Sequence, residues 1–256
     1  MADPANNLLS RACVVTGAGT GLGRSLARRL AESGARVAAL GRRFEQLEET
    51  ASTSPDISPF RCDVSDPIAL EKAFSEIRGT IGPVTLLINN AAVYPKRDVF
   101  DESHESFMDT IAINLGGTFG ATRLALDDMA EAGFGRILNV ATFADIAPLP
   151  ASSAYSVSKG AARILSRALQ ADLADRFPGI VITDWLPGML DTPMGIADGL
   201  DPDAAALWGT RLALMHDPSL NGTTFEMNRE IPPHRSLKRK LRDKLLFRRA
   251  PVPREL

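Results

Sequence analysis

The sequence predicts a single doubly wound α/β domain, in which a parallel sheet of about seven strands has helices on both faces. Short apolar, β-branched runs alternate with longer helical patterns from residue 11 onward, an alternation typical of βαβ units. The short runs are almost continuously apolar, as expected of parallel strands covered on both sides. With 256 residues and 45% hydrophobic side chains, the chain is long enough to bury one large core.

The strand pattern occurs at residues 12–16, 36–40, 57–61, 84–89, 135–141, 180–186 and 223–227. Helical spacing of apolar residues, with Asp, Ser or Pro near the start, occurs at residues 22–33, 44–53, 67–78, 102–132, 154–177 and 203–215. Right-handed crossovers between such elements predict an open, twisted sheet. The pattern leaves the order of the strands open.

The composition favours a reducing compartment. Cys13 and Cys62 lie in predicted strands or strand ends, with neither a metal-ligand spacing nor the framework of a disulfide-rich scaffold. Residues 1–10 carry an acid and no basic residue, unlike a signal or transit peptide, and no stretch approaches the roughly 20 apolar residues of a membrane span. The three histidines show no metal spacing. We therefore expect a cytoplasmic protein without a metal site.

Charge is distributed unevenly along the chain. Residues 229–256 hold ten Arg or Lys against three Asp or Glu, although the formal net charge of the whole chain is -2. We therefore divide the chain into a main domain, residues 1–233, and a basic tail, residues 234–256. Within the tail, residues 236–249 have the pattern of a basic amphipathic helix. The tail could pack on its own body or a sister subunit, bind an acidic partner or membrane surface, or bind nucleic acid, which we do not expect.

A glycine-rich run, from Thr16 to Gly23, follows the first predicted strand and opens the first predicted helix. Glycine permits a tight turn and lets backbone N–H groups approach a pyrophosphate, which the positive end of the following helix favours. The alternative is a turn needed only for close helix packing. Its place between the first strand and the first helix favours dinucleotide binding, with the contacts made by Gly17, Gly19, Thr20, Gly21, Leu22 and Gly23.

This run resembles the Thr-Gly-x-x-x-Gly-x-Gly fingerprint of the short-chain dehydrogenase/reductase family. Further motifs follow in the family's order over about residues 10 to 195: Asp63-Val64, Asn89-Asn90-Ala91-Ala92, Asn114, Tyr155-x-x-x-Lys159, and Pro187-Gly188 through Thr192-Pro193-Met194. The resemblance implies a Rossmann-type fold, a nicotinamide cofactor, a small-molecule substrate with a carbonyl or alcohol group, and a homodimer or homotetramer.

The end of the second predicted strand indicates which nucleotide is bound. Gly41 stands where NAD-preferring members of the family place an aspartate, and Arg42 and Arg43 follow it. Guanidinium groups are planar, multidentate donors for phosphate, so the sequence predicts NADP(H). The alternative is that both arginines belong to the solvated face of the next helix.

Tyr155 and Lys159 stand at i and i+4, so on a helix their side chains emerge on one face. A nearby ammonium stabilises a phenolate, so we expect Lys159 to lower the pKa of Tyr155 and make it a usable acid or base. Thirteen residues before Tyr155, where the family has a catalytic serine, the chain has Thr142. Its hydroxyl can still donate to a substrate oxygen, although it could also be an ordinary strand-end threonine.

The resemblance implies roles for further residues. Asn114 would bend its helix and hold a water that relays protons toward Lys159, which would also hold the nicotinamide ribose. Asp63 would accept a hydrogen bond from the adenine amino group, although a helix N-cap is the alternative, a role that Asp66 fits better. The remaining predicted cofactor contacts are Val64 on the adenine ring, Asn90 and Ala91 at the adenine ribose, Pro187, Gly188, and Thr192 at the nicotinamide carboxamide.

The predicted substrate pocket is mostly apolar, with Phe143, Leu149, Met189 and Met194 as its wall. We therefore expect a hydrophobic or bulky substrate, reduced or oxidised by an NADP(H)-dependent enzyme. A second hypothesis is a non-catalytic sensor that binds the cofactor and engages a partner through its basic tail. The Tyr155 and Lys159 pair argues against the sensor, because a binding module needs no tuned phenol.

Overall fold

The computed structural model describes residues 8–232 and 252–256. Eight strands form one sheet: β1 (Ala12–Thr16), β2 (Arg36–Gly41), β3 (Ile57–Arg61), β4 (Val84–Asn89), β5 (Gly135–Val140), β6 (Ile180–Leu186), β7 (Thr224–Glu226) and β8 (Arg229–Ile231). Their order is β3-β2-β1-β4-β5-β6-β7-β8, with β7 and β8 antiparallel and all other neighbours parallel. The predicted α/β fold is confirmed, and the sheet has one strand more than predicted.

The helices are α1 (Gly21–Glu32), α2 (Phe44–Ala51), α3 (Pro67–Thr80), α4 (His104–Ile111), α5 (Gly117–Ala132), α6 (Ser153–Leu173) and α7 (Pro202–Leu214). The prediction of one continuous helix over residues 102–132 is wrong, because a π-helical turn (Ala112–Gly116) separates α4 from α5. The prediction for residues 154–177 extends too far, since α6 ends at Leu173 and a turn follows.

Two apolar clusters cover the two faces of the sheet. One packs α1, α2 and α7 against it, and the other packs α3 and α5 against the opposite face. Trp185 lies fully buried in the first cluster, where a Cβ on Gly209 of α7 would approach its ring to 2.6 Å. Glycine at that position lets the helix lie close to the sheet.

The parallel strands bring most of the predicted site residues to one edge of the sheet. Gly17 follows β1, Arg42 follows β2, Asn90 follows β4, Thr142 follows β5 and Pro187 follows β6. In open α/β sheets, ligands bind at this carboxyl edge, where the order of the strands reverses. Here that reversal lies between β1 and β4.

Residues 254–256 pair with the last hairpin of the sheet. Glu230 N donates to Arg254 O at 2.9 Å, Leu256 N donates to Asn228 O at 2.8 Å, and Arg254 Nε lies 3.0 Å from a carboxylate oxygen of Glu230. These contacts favour packing of the tail on its own body. The helix predicted over residues 236–249 lies outside the described residues, as does the proposed boundary at residue 233. Among the described helices, none is long and apolar enough to cross a membrane.

Candidate active site

The backbone carbonyl oxygens of the glycine turn accept hydrogen bonds from side chains. Asn90 Nδ2 donates to the oxygens of Thr16 and Gly17 at 3.0 and 3.3 Å. The next two carbonyls are held in the same way: Thr50 Oγ1 donates to Ala18 O at 3.0 Å, and Arg24 Nη2 donates to Gly19 O at 2.6 Å. Because these hydrogen bonds fix the carbonyl oxygens on one side of the turn, the turn can present N–H groups to an anion on the other side.

Glycine is required in this turn for steric reasons. Gly17 has φ +67°, and a Cβ there would lie 2.9 Å from the Cα of Ala91. A Cβ on Gly23 would lie 2.2 Å from the oxygen of Gly17. Gly21 has φ +50° and lies beside Thr192, whose Cγ2 would be 3.1 Å from an added Cβ. The turn therefore meets the segment after β6, which the resemblance assigns to the opposite end of the cofactor.

The N-terminus of α1 is open to a ligand. Thr20 occupies the N-cap position in an extended conformation, and its side chain makes no capping hydrogen bond. The first N–H groups of a helix have no partner within the helix, so an uncapped start favours an anion. The side chain of Leu22 is buried in the core, so this residue could offer a ligand only its backbone. In contrast, Asp66 caps α3 by accepting from two backbone N–H groups, as predicted.

Arg42 and Arg43 are exposed at the start of α2. Within residues 8–232 and 252–256, neither forms an ion pair with a carboxylate. A cation at a helix N-terminus is opposed by the helix dipole, so α2 itself does not stabilise these side chains. A phosphate at this edge would pair with them.

Asp63 follows β3 at the same edge and lies close enough to Arg42 to interact with its charge. Burial raises the pKa of Asp63, but the Ser65 hydrogen bonds and the Arg42 charge outweigh this effect, so the pKa falls below its usual value. Asp63 Oδ1 accepts from the backbone N and the hydroxyl of Ser65 at 3.0 and 2.7 Å. Val64 is buried against Gly117 of α5. Contacts of both residues with adenine stay predictions.

Thr142, Tyr155 and Lys159 are brought together at the end of β5. The side chain of Thr142 lies close enough to Tyr155 to lower the pKa of its phenol as a hydrogen-bonding neighbour. Lys159 is buried, and its Nζ donates to the oxygen of Val140, the last residue of β5, at 2.8 Å. The substitution of threonine for the family's serine therefore keeps a hydroxyl next to the phenol.

The expected lowering of the Tyr155 pKa is wrong. Burial raises the pKa of Tyr155, the hydrogen bond with Thr142 opposes this, and the neighbouring Tyr94 raises it further. Burial also lowers the pKa of Lys159 from 10.5 to about 8, while the charge of Asp184 acts in the opposite direction. The spacing placed the two groups on one face, but their ionisation depends on how deeply the packing buries them.

Asn114 lies in the π turn between α4 and α5 and connects three segments. Its Oδ1 accepts from Val93 N at 2.8 Å, and its Nδ2 donates to Val93 O at 3.0 Å and to Ser158 Oγ at 2.9 Å. The backbone oxygen of Asn114 accepts from Thr118 Oγ1 at 2.8 Å. The helix is interrupted by the π turn at the position where the resemblance implies a bend, and the water relay stays a prediction.

The remaining predicted residues lie around the same edge. Asn90 and Ala91 donate from their backbone N atoms to Thr16 Oγ1, both at 3.0 Å, so they form the wall of the glycine turn. Pro187 and Gly188 directly follow β6, and Gly188 has φ +93°. The predicted substrate wall lies on the segments after β5 and β6, where all four side chains are exposed: Phe143, Leu149, Met189 and Met194.

Sequence reasoning missed two neighbours of the predicted catalytic residues. Tyr94 stacks on Tyr155 with ring centroids 4.5 Å apart. Asp184 lies buried in β6, accepts a hydrogen bond from Ser166 Oγ at 2.7 Å, and has a pKa raised to about 6 by burial. An acid inside an apolar strand was a signal for Asp184, whereas the loop around Tyr94 has no periodic pattern.

Comparison with known proteins shows the family of the chain. Residues 11–202 match the family model described as short chain dehydrogenase. The chain is 31% identical over 193 residues to the NADP-dependent (R)-specific alcohol dehydrogenase of Lentilactobacillus kefiri, covering 74% of this chain and 77% of that protein. It is 34% identical over 194 residues to the 2-(R)-hydroxypropyl-CoM dehydrogenase of Xanthobacter autotrophicus, covering 73% and 77%. It is also 34% identical over 193 residues to carbonyl reductase [NADPH] 2 of Sus scrofa, covering 75% and 77%.

Proposed function

Since the chain belongs to the short-chain dehydrogenase family and is an oxidoreductase, we propose that it interconverts a carbonyl compound and an alcohol with NADP(H). The observation that carries this proposal is the meeting of Thr142, Tyr155 and the buried Lys159 at the end of β5, where Lys159 Nζ donates to Val140 O at 2.8 Å. These groups lie at the sheet edge that also carries the glycine turn and the open start of α1.

The two hydroxyl groups would bind the reacting oxygen. Thr142 can donate a hydrogen bond that polarises a carbonyl, and Tyr155 can donate the proton that the new alkoxide needs. The phenol of Tyr155 stays protonated at neutral pH, and although its raised pKa makes it a weak acid, an alkoxide is basic enough to take its proton in the direction of reduction. When bound, the nicotinamide supplies the hydride in reduction and accepts it in oxidation.

Within the described residues Lys159 donates to one acceptor, so its other N–H groups are available to a ligand. An ammonium has three N–H donors, and one of them is held by Val140 O. The others can bind ribose hydroxyls, as the family resemblance implies. The ammonium also favours negative charge on the neighbouring oxygen atoms as the proton leaves Tyr155.

Preference for NADP(H) is supported by the position of Arg42 and Arg43. Both guanidinium groups are exposed directly after β2, and glycine at position 41 means that no carboxylate at the end of this strand repels a 2′-phosphate. Two of the relatives named above carry NADP or NADPH in their names. We expect NADPH to bind at least about tenfold more tightly than NADH, and equal affinities in a fluorescence titration would refute this preference.

The substrate is proposed to be apolar or bulky, since the side chains after β5 and β6 are exposed and mostly aliphatic or aromatic. The test is a panel of ketones and aldehydes with NADPH, run on the wild type and on Tyr155→Phe. Turnover that is lost in the variant supports the enzyme. Tight NADPH binding without turnover of any compound would instead support a cofactor sensor that engages a partner through its basic tail.

We also propose a homo-oligomer built on the outer face of α4, α5 and α6. An apolar groove of about 400 Å³ is lined there by Met108, Ile111, Ala112, Leu115, Gly116, Phe119 and Leu165. Met108 and Phe119 are both almost half exposed. A two-fold axis would bury the same patch on both subunits. Light scattering should show a dimer or tetramer for the wild type and a smaller particle for Phe119→Glu, and a monomeric wild type would contradict the proposal.

A further inference from the structure

Tyr94 covers one face of the ring of Tyr155. The ring centroids lie 4.5 Å apart and the ring planes differ by 17°, which is a stacked arrangement. These are the two tyrosines of the chain. Tyr94 lies in the segment of residues 90–103 that connects β4 to α4, far in sequence from α6, which carries Tyr155. The contact therefore depends on how two separate segments are held together.

Asn114 holds the Tyr94 segment against α6. Its side-chain amide forms two hydrogen bonds with the backbone of Val93, the residue before Tyr94, at 2.8 and 3.0 Å. The same Nδ2 donates to Ser158 Oγ at 2.9 Å, and Ser158 stands three residues after Tyr155 on α6. One buried amide thus ties the supports of both rings.

Lys96 holds the same segment from the side of the solvent. Its Nζ lies 5.6 Å from the centroid of the Tyr94 ring and donates to Gly195 O at 3.4 Å. Lys96 has φ +52°, a conformation that residues other than glycine rarely adopt. Gly195 follows Met194 in the segment after β6, so this contact connects Tyr94 to a wall of the proposed substrate site.

We propose that Tyr94 is a positioning and specificity-determining residue, which holds the Tyr155 ring so that its hydroxyl meets Thr142 and which closes one side of the site to the substrate. This inference rests on the proposed function for its kinetic part. The stacking itself does not depend on it. With one ring face covered, a substrate reaches the phenol oxygen from the open side, so the space beside Tyr94 limits the groups that a carbonyl compound can carry there.

The kinetic test compares Tyr94→Leu with Tyr94→Phe. Loss of the ring in Tyr94→Leu should lower kcat about tenfold, because a loosely held phenol is less often in position to donate its proton. It should also raise kcat/KM for a bulky ketone relative to a small one by about tenfold, because the removed ring leaves space. Tyr94→Phe keeps the ring, so its kcat should lie at least about threefold above that of Tyr94→Leu.

A structural test needs no substrate. Incorporation of fluorotyrosine places two ¹⁹F reporters in the chain, which Tyr94→Phe and Tyr155→Phe assign. The Tyr155 resonance should move in Tyr94→Leu, because the ring that faces it is gone, and should move less in Tyr94→Phe. Phe100→Leu is the matched control, since Phe100 belongs to the same segment and is 97% exposed, so it should move neither resonance nor kcat.

The two tests separate the possible failures. A Tyr155 resonance that is the same in Tyr94→Leu as in the wild type would overturn the inference whatever the enzyme does. A shifted resonance with equal kcat and unchanged bulky-to-small preference in Tyr94→Leu would also overturn it, because the stack would then have no role in the reaction. If no carbonyl compound is turned over by the wild type, the proposed function fails, and the resonance alone decides whether Tyr94 positions Tyr155.

Discussion

Two buried cations lie at opposite ends of β5, and they are bonded very differently. Arg136, near the amino end, is fully buried and donates to the backbone oxygens of Met215, Ile137, Val181 and Leu212 at 3.0 to 3.2 Å. Lys159, at the carboxyl end, is 5% exposed and donates to one backbone oxygen, that of Val140. Within the described part of the chain, neither forms an ion pair with a carboxylate.

The difference separates a structural cation from a functional one. Two of the oxygens bonded to Arg136 lie at the C-terminal end of α7, where the helix dipole favours a positive charge. Because the Arg136 guanidinium donates to backbone oxygens of both α7 and the sheet, it holds α7 against the sheet. Burial lowers the pKa of both cations, but Lys159 uses one of its three N–H groups within the described residues, at the edge where ligands bind.

Exchange of each cation for methionine should produce the largest effects, on kcat for Lys159 and on the free energy of unfolding for Arg136. Lys159→Met should lower kcat at least about 1,000-fold and change the free energy of unfolding by no more than about 1 kcal/mol, because it leaves a single oxygen without its donor. Arg136→Met should lower the free energy of unfolding by about 3 kcal/mol, because it leaves four buried oxygens without theirs, and should keep kcat within about twofold. Steady-state kinetics and urea unfolding check both. An active Lys159→Met or a fully stable Arg136→Met would break the comparison.

The hydroxyl of Thr142 should be the next largest contribution at the carboxyl end of β5. Thr142→Val removes the hydroxyl with little change in shape, so kcat should fall about 100-fold, as when one donor to a developing oxyanion is lost. Thr142→Ser keeps the hydroxyl and should stay within about tenfold of the wild type. Kinetics with a ketone identified in the panel would measure both variants. Equal rates for the valine and serine variants would mean that the Thr142 hydroxyl has no catalytic role.

The pH dependence of the reaction rate and of folding stability should distinguish Lys159 from an ordinary surface lysine. Burial holds its pKa at about 8, so the ammonium is lost above this pH and the rate of reduction should fall there. Since the pKa in the folded state lies below the ordinary 10.5, folding stability should rise as the pH increases from about 8 to 10.5. This rise should be absent in Lys159→Met.

Asp184→Asn provides a control for this pH dependence, because the charge of Asp184 raises the pKa of Lys159. Its removal should move the alkaline fall in rate to lower pH. A rate that is level up to pH 10 in the wild type, or an unchanged profile in Asp184→Asn, would contradict the assignment.

Substitution of the exposed Arg42 should have the smallest effect of these changes, and it should act on nucleotide binding. Arg42→Leu should weaken NADPH binding about tenfold and leave NADH binding within about twofold, because only NADPH carries the 2′-phosphate. Fluorescence titration with both nucleotides checks this, with the exposed Arg123 on α5 as a matched control through Arg123→Leu. Equal losses for the two nucleotides would show that Arg42 does not recognise the phosphate.

The sequence predicted the fold and most of the site because both depend on local patterns. Strand and helix periods indicated the sheet, and the i to i+4 spacing put Tyr155 and Lys159 on one face. Thr142 was found through the family resemblance, which implies a hydroxyl residue thirteen positions before Tyr155. The strand β8 was missed because it is only three residues long and mostly polar.

Other features escaped because they arise from contacts between distant segments. Tyr94 meets Tyr155 across 61 positions of sequence, and the direction of the Tyr155 pKa shift follows from burial rather than from its neighbour four residues on. The bonding of Arg136 likewise depends on α7, more than seventy residues away. Such contacts leave no periodic signal in the sequence.

Transfer of a labelled hydride tests the central claim most directly. NADPH deuterated at the transferring carbon should be incubated with apolar ketones and either the wild type, Tyr155→Phe or Arg136→Met. We expect deuterium on the carbinol carbon of at least one product with the wild type and Arg136→Met, and at least about 100-fold slower transfer with Tyr155→Phe. Tight NADPH binding by the wild type without transfer to any ketone, or equal transfer by Tyr155→Phe, would contradict the account.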